Sequence, residues 1–358
     1  MREDRRSASR EDLSDAWPRY TAASLGLRNY WYPVMWSRHL RKKPRAVILC
    51  GERIVLVRDR GTAYALHDRC PHRGIPLSQG RCHFPGLITC AYHGWCYDVR
   101  TGELAAALTD GPDSPIVGKQ SVRVGTYPVA ERAGLIWVYV GEEPAPPVEA
   151  DVPTELLRPD TVVVGVIQRR RGNWRYAAEN GVDEGHAKYL HRRTPWTFFR
   201  EVPAWNIIHL GPSDDGEWQL RIPDHTRSAD TYPRVGRWPR RRHFWESRSR
   251  GPLDVGARLP GWVRVRRQNW SAYEAYVPSD ETHYLSVLFL AKWTAGPDAW
   301  LFRAWYWLWR RWAYHWRFNA QDQRMVESMQ TPPERLYRPD VSITAWRKMC
   351  QTEARGSG

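Results

Sequence analysis

Two short segments of this chain each carry one cysteine and one histidine. Cys70 and His72 flank a single proline, and seventeen residues separate His72 from the second pair, Cys90 and His93. Such a set suits a two-iron cluster in which one iron binds both thiolates and the other binds both imidazoles. Because neutral imidazole donates less charge than thiolate, this ligand set raises the reduction potential above that of an all-cysteine cluster. The two segments therefore predict a centre that stores one electron.

A structural zinc site is the alternative for these four residues. Zinc fingers space their two cysteines by about two to four residues, and they keep cysteine with cysteine and histidine with histidine. Each segment here mixes the two residue types, which favours the iron–sulfur interpretation. Gly74 and Gly94 flank the segments, and glycine lets the backbone amides turn towards sulfur.

A second group of polar residues follows about ninety residues downstream and comprises Asn180, Asp183, His186 and His191. Two histidines and one carboxylate on one face of Fe(II) leave open positions for O2 and substrate. The two histidines are five residues apart, which an ideal helix does not place on one face. We therefore expect a helix end or a local distortion between them. Spacing alone leaves metal ligation and an ordinary histidine pair both open, but an electron store beside an oxygen-activating metal points to an oxygenase.

The motifs resemble a known family. Cys70-Pro-His72-Arg-Gly and Cys90-Ala-Tyr-His93-Gly-Trp resemble the Rieske domain of ring-hydroxylating oxygenase α subunits. Respiratory Rieske proteins carry an extra cysteine in each loop, whereas the matching positions here are Ile75 and Tyr92. The downstream group matches the family pattern Asn-x2-Asp-x2-His-x3–4-His. The resemblance covers roughly residues 29 to 350, and its ending is similar to carbazole-dioxygenase-like and saxitoxin-hydroxylase-like members, which form α3 trimers.

The resemblance implies a ligand set for each centre. It assigns a [2Fe-2S] Rieske cluster to Cys70, His72, Cys90 and His93, and a mononuclear Fe(II) to His186, His191 and Asp322. The family's third iron ligand is an aspartate on a late helix, and Asp322 fits that position. Glu327 is a weaker alternative, and a plain helix-surface role is the alternative for Asp322.

The resemblance also implies catalytic roles for Asp183 and Asn180. Asp183 is not expected to bind iron. It would hydrogen-bond a cluster histidine of one subunit and an iron-binding histidine of its neighbour, so that electrons cross a subunit interface. This arrangement implies a homotrimer.

The elements that must position these residues predict an α+β protein. Residues 29–145 contain short β-like segments at hairpin spacing, such as 46–50, 53–57 and 63–66, and predict a small antiparallel β domain. A proline-rich connector at residues 141–148 is the expected boundary. Residues 146–358 would form the catalytic domain, which the resemblance implies is a helix-grip (START-like) fold with an antiparallel sheet and a long C-terminal helix. Residues 1–28 are expected to be a disordered lead.

Two segments of the second half have helical patterns. Residues 174–190 have helix-forming composition. Between residues 300 and 329, four tryptophans fall at i, i+4, i+7 and i+11 and make one stripe, Trp305, Trp309, Trp312 and Trp316. We expect this stripe to face the core, and a partner-binding helix is the alternative.

The composition limits the class of protein. The formal net charge of this 358-residue chain is +15. The arginine runs at 169–171 and 240–242 are short and match no nucleic-acid-binding motif, so we expect a solvated surface or the docking of an acidic electron-transfer partner. No apolar run is long enough to span a membrane. The first ten residues are charged and contain no apolar h-region, so we expect no signal peptide. The remaining four cysteines show no obvious pairing, and we expect reduced thiols in a cytoplasmic protein.

The expected function is that of a terminal oxygenase component. It would use O2 and externally supplied electrons to hydroxylate, demethylate or cyclise an aromatic, polycyclic or alkaloid-like substrate. No G-x-G-x-x-G fingerprint occurs, so NAD(P)H would act only indirectly, through a ferredoxin and/or a flavin reductase. The alternative is a Rieske-type electron carrier without oxygenase activity. Such a carrier needs only about a hundred residues and would leave the second histidine group unexplained.

Overall fold

The computed structural model describes residues 16–142, 144–183, 185–186, 190–191, 208–223, 254–267, 269–329, 334–337 and 340–356. Within these residues the chain is α+β, as expected, and its sheets are antiparallel. The arginine run at residues 240–242 lies outside the described residues. Among the described residues, no helix has the length and apolar character needed to cross a bilayer.

The first part of the chain contains three small sheets with the orders β1-β10-β9, β2-β3-β4-β8 and β5-β6-β7. Their strands are β1 Tyr30–Trp36, β2 Arg45–Leu49, β3 Glu52–Asp59, β4 Thr62–His67, β5 Leu87–Thr89, β6 Trp95–Asp98, β7 Leu104–Ala107, β8 Thr126–Tyr127, β9 Val129–Arg132 and β10 Leu135–Val140. Short 3-10 turns occur at Ser37–His39, Leu77–Gln79 and Gln120–Val122.

Tight two-residue turns set the register of these hairpins. Strands β2 and β3 are joined by Cys50 and Gly51, and β3 and β4 by Arg60 and Gly61, all with positive φ. Such turns match the right-handed twist of paired strands, and glycine at the second position adopts positive φ at little cost. The predicted hairpins are confirmed. Strand β10, Leu135–Val140, is buried along its whole length.

The second part is built on a seven-stranded sheet of the order β11-β17-β16-β15-β14-β13-β12. Its strands are β11 Thr161–Arg171, β12 Ile208–Pro212, β13 Gln219–Pro223, β14 Asp254–Arg258, β15 Trp262–Arg266, β16 Ser271–Asp280 and β17 His283–Trp293. The helices within the described residues are α1 Pro18–Ala22, α2 Trp174–Val182, α3 Gly296–Trp305, α4 Asn319–Ser328 and α5 Val341–Thr352, with 3-10 turns at Ala23–Leu25, Val148–Ala150 and Thr154–Leu157.

A long helical segment packs on this sheet. Helix α3 runs through two π-helical stretches, Tyr306–Arg310 and Trp312–Phe318, directly into α4. Its inner side chains, including Phe302 and Tyr306, are buried against β11 and β17. The expected antiparallel sheet with a long C-terminal helix is therefore confirmed.

The expected core position of the tryptophan stripe is wrong. Trp305, Trp309, Trp312 and Trp316 are between 37% and 58% exposed. The prediction assumed an α-helical period throughout, whereas hydrogen bonds in the π-helical stretches close five residues apart instead of four. The buried side is formed by Ala299 and Phe302 before these stretches and by Tyr306, Ala313 and Tyr314 within them.

The expected disordered lead is wrong for residues 16–28, while residues 1–15 lie outside the described part of the chain. Helix α1 packs on α2 and α5 through a buried polar network. The Tyr20 hydroxyl donates to Glu179 at 2.5 Å, and the Arg347 guanidinium lies 2.6 Å from the same carboxylate. Glu334 accepts two further bonds from Arg347, at 2.6 and 3.1 Å. These contacts join the two ends of the chain to the helix that carries Asn180.

Replacing Arg347 by methionine is expected to destabilise the protein by about 3–5 kcal/mol. Both Arg347 and Glu179 are buried, so the substitution leaves a carboxylate in the interior without its cation. Denaturant unfolding of the full chain measures the loss. The matched control is Arg324→Met, because Arg324 is exposed on α4 and its loss should change the free energy of unfolding by less than about 0.5 kcal/mol. Equal effects of both substitutions would contradict the role of the buried network.

Candidate metal centres

Two loops of similar construction carry the cysteine–histidine pairs. The Cys70 amide donates to the Ile75 carbonyl at 2.9 Å, and the Cys90 amide donates to the Trp95 carbonyl at 2.8 Å. In each loop the glycine four residues after the cysteine donates back to the cysteine carbonyl, at 2.8 and 3.2 Å. Both glycines, Gly74 and Gly94, have positive φ, a conformation that glycine adopts at little cost. The two loops thus form a matched pair of tight turns.

The two loops place sulfur inside and imidazole outside. Cys70 and Cys90 are only 2% and 4% exposed. The Tyr97 hydroxyl lies 3.3 Å from the Cys70 sulfur. The rings of His72 and His93 lie 4.6 Å apart on the outer side, and His72 is exposed. All four predicted ligand side chains therefore lie on two facing loops, the thiols towards the protein interior and the imidazoles towards solvent.

The electrostatics of the two thiols fit a metal centre. Burial raises the pKa of the Cys90 thiol, and the neighbouring Cys70 sulfur raises it further. Two adjacent thiolates repel each other in such a site, whereas a bound cation deprotonates a coordinating thiol outright. The side chains thus fit a cluster with two sulfur ligands on the buried side and two imidazole ligands on the outer side.

The second group of predicted residues lies where α2 ends. Asn180 is in the last turn of α2, and Asp183 follows its last residue, Val182. Gly185 and His186 are helical, and the His186 carbonyl accepts a 2.8 Å bond from the Leu190 amide. The helix end or distortion expected between the two histidines stays a prediction, because residues 187–189 lie outside the described residues. Asp322 comes from the first turn of α4.

Three side chains of this group converge on one point. The Nε2 atoms of His186 and His191 lie 3.4 and 3.1 Å from the same oxygen, Oδ1 of Asp322. One ligand atom from each of the three residues can be chosen so that all lie within 4.8 Å of one another. Ligands bound at about 2.1 Å and at right angles around one ion lie about 3 Å apart. The spacing therefore fits a mononuclear metal with two imidazoles and one carboxylate on one side.

Neighbouring acceptors fix which nitrogen of each histidine faces the centre. His186 Nδ1 lies 3.2 Å from Asp183 Oδ2, and His191 Nδ1 lies 3.1 Å from Gln321 Oε1. An imidazole whose Nδ1–H donates to an acceptor presents an unprotonated Nε2, which is the form that binds a metal. The two histidines are thus oriented as ligands by side chains that do not bind the metal.

The charges of the carboxylates complement this arrangement. Burial acts to raise the pKa of Asp183, but hydrogen bonds from His186 and Gly185 outweigh it, and the pKa is lowered. Burial likewise opposes ionisation of Asp322, yet His186 and His191 lower its pKa. In the reverse direction, burial acts to lower the pKa of His186, while Asp183 and Asp322 raise it to about 9. The two anionic carboxylates therefore favour a positive charge at this point, which either an imidazolium or a bound metal ion can supply.

Three further residues complete the surroundings of the centre. The Asn180 side chain donates to Asp322 Oδ1 at 3.2 Å, which gives this predicted residue a positioning contact. Sequence reasoning missed Gln321, the acceptor for His191, and Phe318, whose ring stacks on His191 at 3.6 Å. Both lie within four residues of Asp322 on the same helical segment. Considering the residues one turn or less away from Asp322 on a helix could have identified them. Glu327, the weaker alternative ligand, is exposed and accepts a bond from Gln323 instead.

Comparisons with known proteins agree with this arrangement. Residues 30–124 match the model of the Rieske [2Fe-2S] domain, and residues 139–357 match the model described as homotrimeric ring hydroxylase. The terminal oxygenase component of carbazole 1,9a-dioxygenase from Metapseudomonas resinovorans is 30% identical over 381 residues, with 96% of each chain covered. Its counterpart from Sphingomonas sp. is 32% identical over 376 residues, with 97% of each chain covered.

A solved structure shows the same likeness. It contains the reduced complex between oxygenase and ferredoxin in carbazole 1,9a-dioxygenase. It superposes with a TM-score of 0.79 at 26% identity and covers 98% of this chain and 96% of the solved chain.

Proposed function

This chain belongs to the homotrimeric ring hydroxylases, oxygenases that combine a Rieske [2Fe-2S] domain with a mononuclear iron site, and on that premise we propose that His186, His191 and Asp322 hold its catalytic iron. The cluster ligands of the proposal are Cys70, His72, Cys90 and His93. The observation that carries the proposal is the convergence of both Nε2 atoms on one oxygen of Asp322. The domain boundary between residues 145 and 146 stays a prediction.

When bound, the ferrous ion would supply the open positions at which O2 is activated, and the cluster would supply single electrons. The protein's own residues do the positioning. Asp183 and Gln321 hold the Nδ1 protons of the two histidines, and Asn180 holds the carboxylate of Asp322. Buried surroundings keep these contacts from competing with water, which strengthens each of them.

Asp183 is proposed to connect two subunits of the trimer. Within one protomer, the rings of His72 and His93 contact each other, Trp95 and Tyr92, all in the first part of the chain. His72 faces solvent, where a neighbouring protomer can reach it. The carboxylate of Asp183 already accepts hydrogen bonds from His186. A further hydrogen bond, donated by a cluster histidine of the neighbouring subunit, would complete a hydrogen-bonded route for the electron.

The electrons come to this oxygenase family from a separate reductase or ferredoxin. We assign a ferredoxin and/or a flavin reductase as the partner of this chain, in line with the oxygenase–ferredoxin complexes among similar structures. The net charge of +15 would attract an acidic carrier. A cytoplasmic location is part of the proposal, since Cys70 and Cys90 must stay reduced to bind iron.

The substrate is proposed to be an aromatic or polycyclic organic molecule. Phe318 stacks on His191, and Tyr314 stacks on Phe318 with ring centres 5.6 Å apart. Phe318 and Tyr314 thus form a row of aromatic rings next to the proposed iron ligand His191. Aromatic molecules pack well against such rings. Hydroxylation is the favoured reaction, with demethylation and oxidative cyclisation as further chemistries of the same site. The carrier alternative receives no support, because it leaves the three converging side chains without a role.

The test is O2 consumption with a surrogate ferredoxin and reductase across a panel of aromatic, polycyclic and alkaloid-like compounds. We expect at least one compound to stimulate O2 uptake and to yield a product that carries oxygen from O2 or has lost a methyl group. Electron transfer into the cluster without product from any compound would contradict the oxygenase proposal and restore the carrier alternative. Product analysis by mass spectrometry separates coupled turnover from unproductive O2 reduction.

A further inference from the structure

An exposed aromatic surface lies on the outer side of the long helical segment. Six large side chains form it, here called the tryptophan face: Trp300, Trp307, Leu308, Trp309, Trp312 and Trp316. Leu308 is 85% exposed and Trp300 is 67% exposed. Single exposed apolar residues are normal, but a contiguous group of large ones marks an interaction site.

The helix does not need the tryptophan face for its own packing. On its inner side, Ala299, Phe302 and Tyr306 are buried in one cluster with Val162 and Leu290 of the sheet. The fold therefore rests on the inner side of the helix. Polar substitutions on the outer side should leave the protein folded.

The tryptophan face is cationic as well as apolar. Residues 300–317 contain four arginines, and no aspartate or glutamate occurs between residues 299 and 321. The Arg311 guanidinium lies 4.8 Å from the ring centre of Trp307 and 5.8 Å from that of Trp316. The Arg317 guanidinium lies 5.0 Å from the ring of Trp312. Cation and indole are thus presented together, without a counter-charge on this stretch of the chain.

We propose that the tryptophan face and its arginines dock the protein on an anionic lipid bilayer. Indole rings concentrate at the membrane–water interface, where their apolar body and polar N–H are both accommodated. Helices that combine arginine with exposed tryptophan and leucine lie in the headgroup region. Arginines beside them are attracted to anionic headgroups. The face thus offers both groups that an anionic leaflet binds.

The charge of the tryptophan face favours an anionic bilayer as its partner over a second copy of the chain. Two copies that met through this face would bring together the four arginines that residues 300–317 carry on each copy, and like charges repel. An anionic leaflet instead neutralises those arginines. Docking would also bring the enzyme to lipophilic aromatic compounds, which partition into lipid. That benefit rests on the proposed function, whereas the docking itself does not.

The test measures co-sedimentation of the full-length protein with lipid vesicles, without substrate or electron donor. We expect the ratio of bound to free protein to be about tenfold higher with phosphatidylcholine vesicles containing about a quarter phosphatidylglycerol than with phosphatidylcholine alone. The triple variant Trp300→Gln, Trp309→Gln, Trp316→Gln should lower binding to anionic vesicles by about tenfold or more. The double variant Arg303→Gln, Arg317→Gln should lower it as well and weaken its dependence on salt.

The control is Phe84→Gln, because Phe84 is an exposed ring in the first part of the chain and its loss should leave vesicle binding unchanged. Wild-type protein that does not bind anionic vesicles would overturn the proposal, as would a triple variant that binds like wild type. Light scattering reports the oligomeric state of each variant. Loss of the trimer in the triple variant would identify the face as a contact between copies and also overturn the proposal. No outcome depends on turnover, so a failure here is distinct from a failure of the proposed function.

Discussion

Replacing Asp183 by asparagine is expected to leave both metal centres bound and to lower turnover by about a hundredfold. The carboxylate accepts the Gly185 amide at 2.7 Å and the His186 amide at 3.0 Å. An asparagine carbonyl can keep one of these local bonds, so the turn and the metal ligands should persist. The lost property is the negative charge, which holds the His186 Nδ1 proton and would accept from the neighbouring subunit's cluster histidine.

Single-turnover kinetics distinguish this role from a defect in folding or substrate binding. Iron analysis and the EPR spectrum of the reduced cluster should match wild type in the Asp183→Asn variant. The rate at which substrate and O2 reoxidise the reduced cluster should fall with steady-state turnover. Asp298→Asn is the control, because Asp298 pairs with Lys292 at an exposed position and its loss should leave turnover unchanged. Full activity of Asp183→Asn would remove the bridging role.

The sequence predicted which side chains lie together at the two candidate centres better than it predicted the residues around them. The cysteine–histidine loops and the pattern from Asn180 to His191 are short segments of the chain. Local turns and helix ends largely determine where the side chains of such short motifs lie. Asp322 comes from more than a hundred residues further along the chain. Spacing alone could not assign it, and the family resemblance was needed. Gln321 was missed because no motif marks a residue whose only role is to orient a neighbouring histidine.

The fold was predictable where local rules decide it. Glycine turns and alternating strands set the hairpins of the first part, and their positions agree with expectation to within one or two residues. The errors arose where tertiary contacts override local signals. The segment at 16–28 was expected to belong to a disordered lead, but burial of Tyr20 and its bond to Glu179 hold it against the fold. The tryptophan stripe followed an α-helical period that the π-helical stretches do not keep.

Replacing Asp322 by alanine is expected to remove the mononuclear iron while leaving the cluster intact. Iron content should fall from about three to about two per chain, since the cluster accounts for two, and substrate oxidation should fall to background. The physical reason is the shared oxygen: both histidine Nε2 atoms lie within 3.4 Å of Asp322 Oδ1. Without that carboxylate, two neutral imidazoles alone must hold the ion, and the buried site loses the charge that offsets Fe(II).

Glu327→Ala is the matched control for this substitution, because both residues are acidic and lie five positions apart in the same helix. Glu327 is exposed and contacts Gln323, so its loss should keep all the iron and full activity. Colorimetric iron analysis, together with the EPR signal of the reduced cluster, measures both centres in the same sample. If Asp322→Ala kept the third iron and Glu327→Ala lost it, the carboxylate ligand would be Glu327. The convergence around Asp322 would then be an ordinary hydrogen-bonded cluster, because an imidazole N–H donating to a carboxylate has the same spacing as two ligands of one ion.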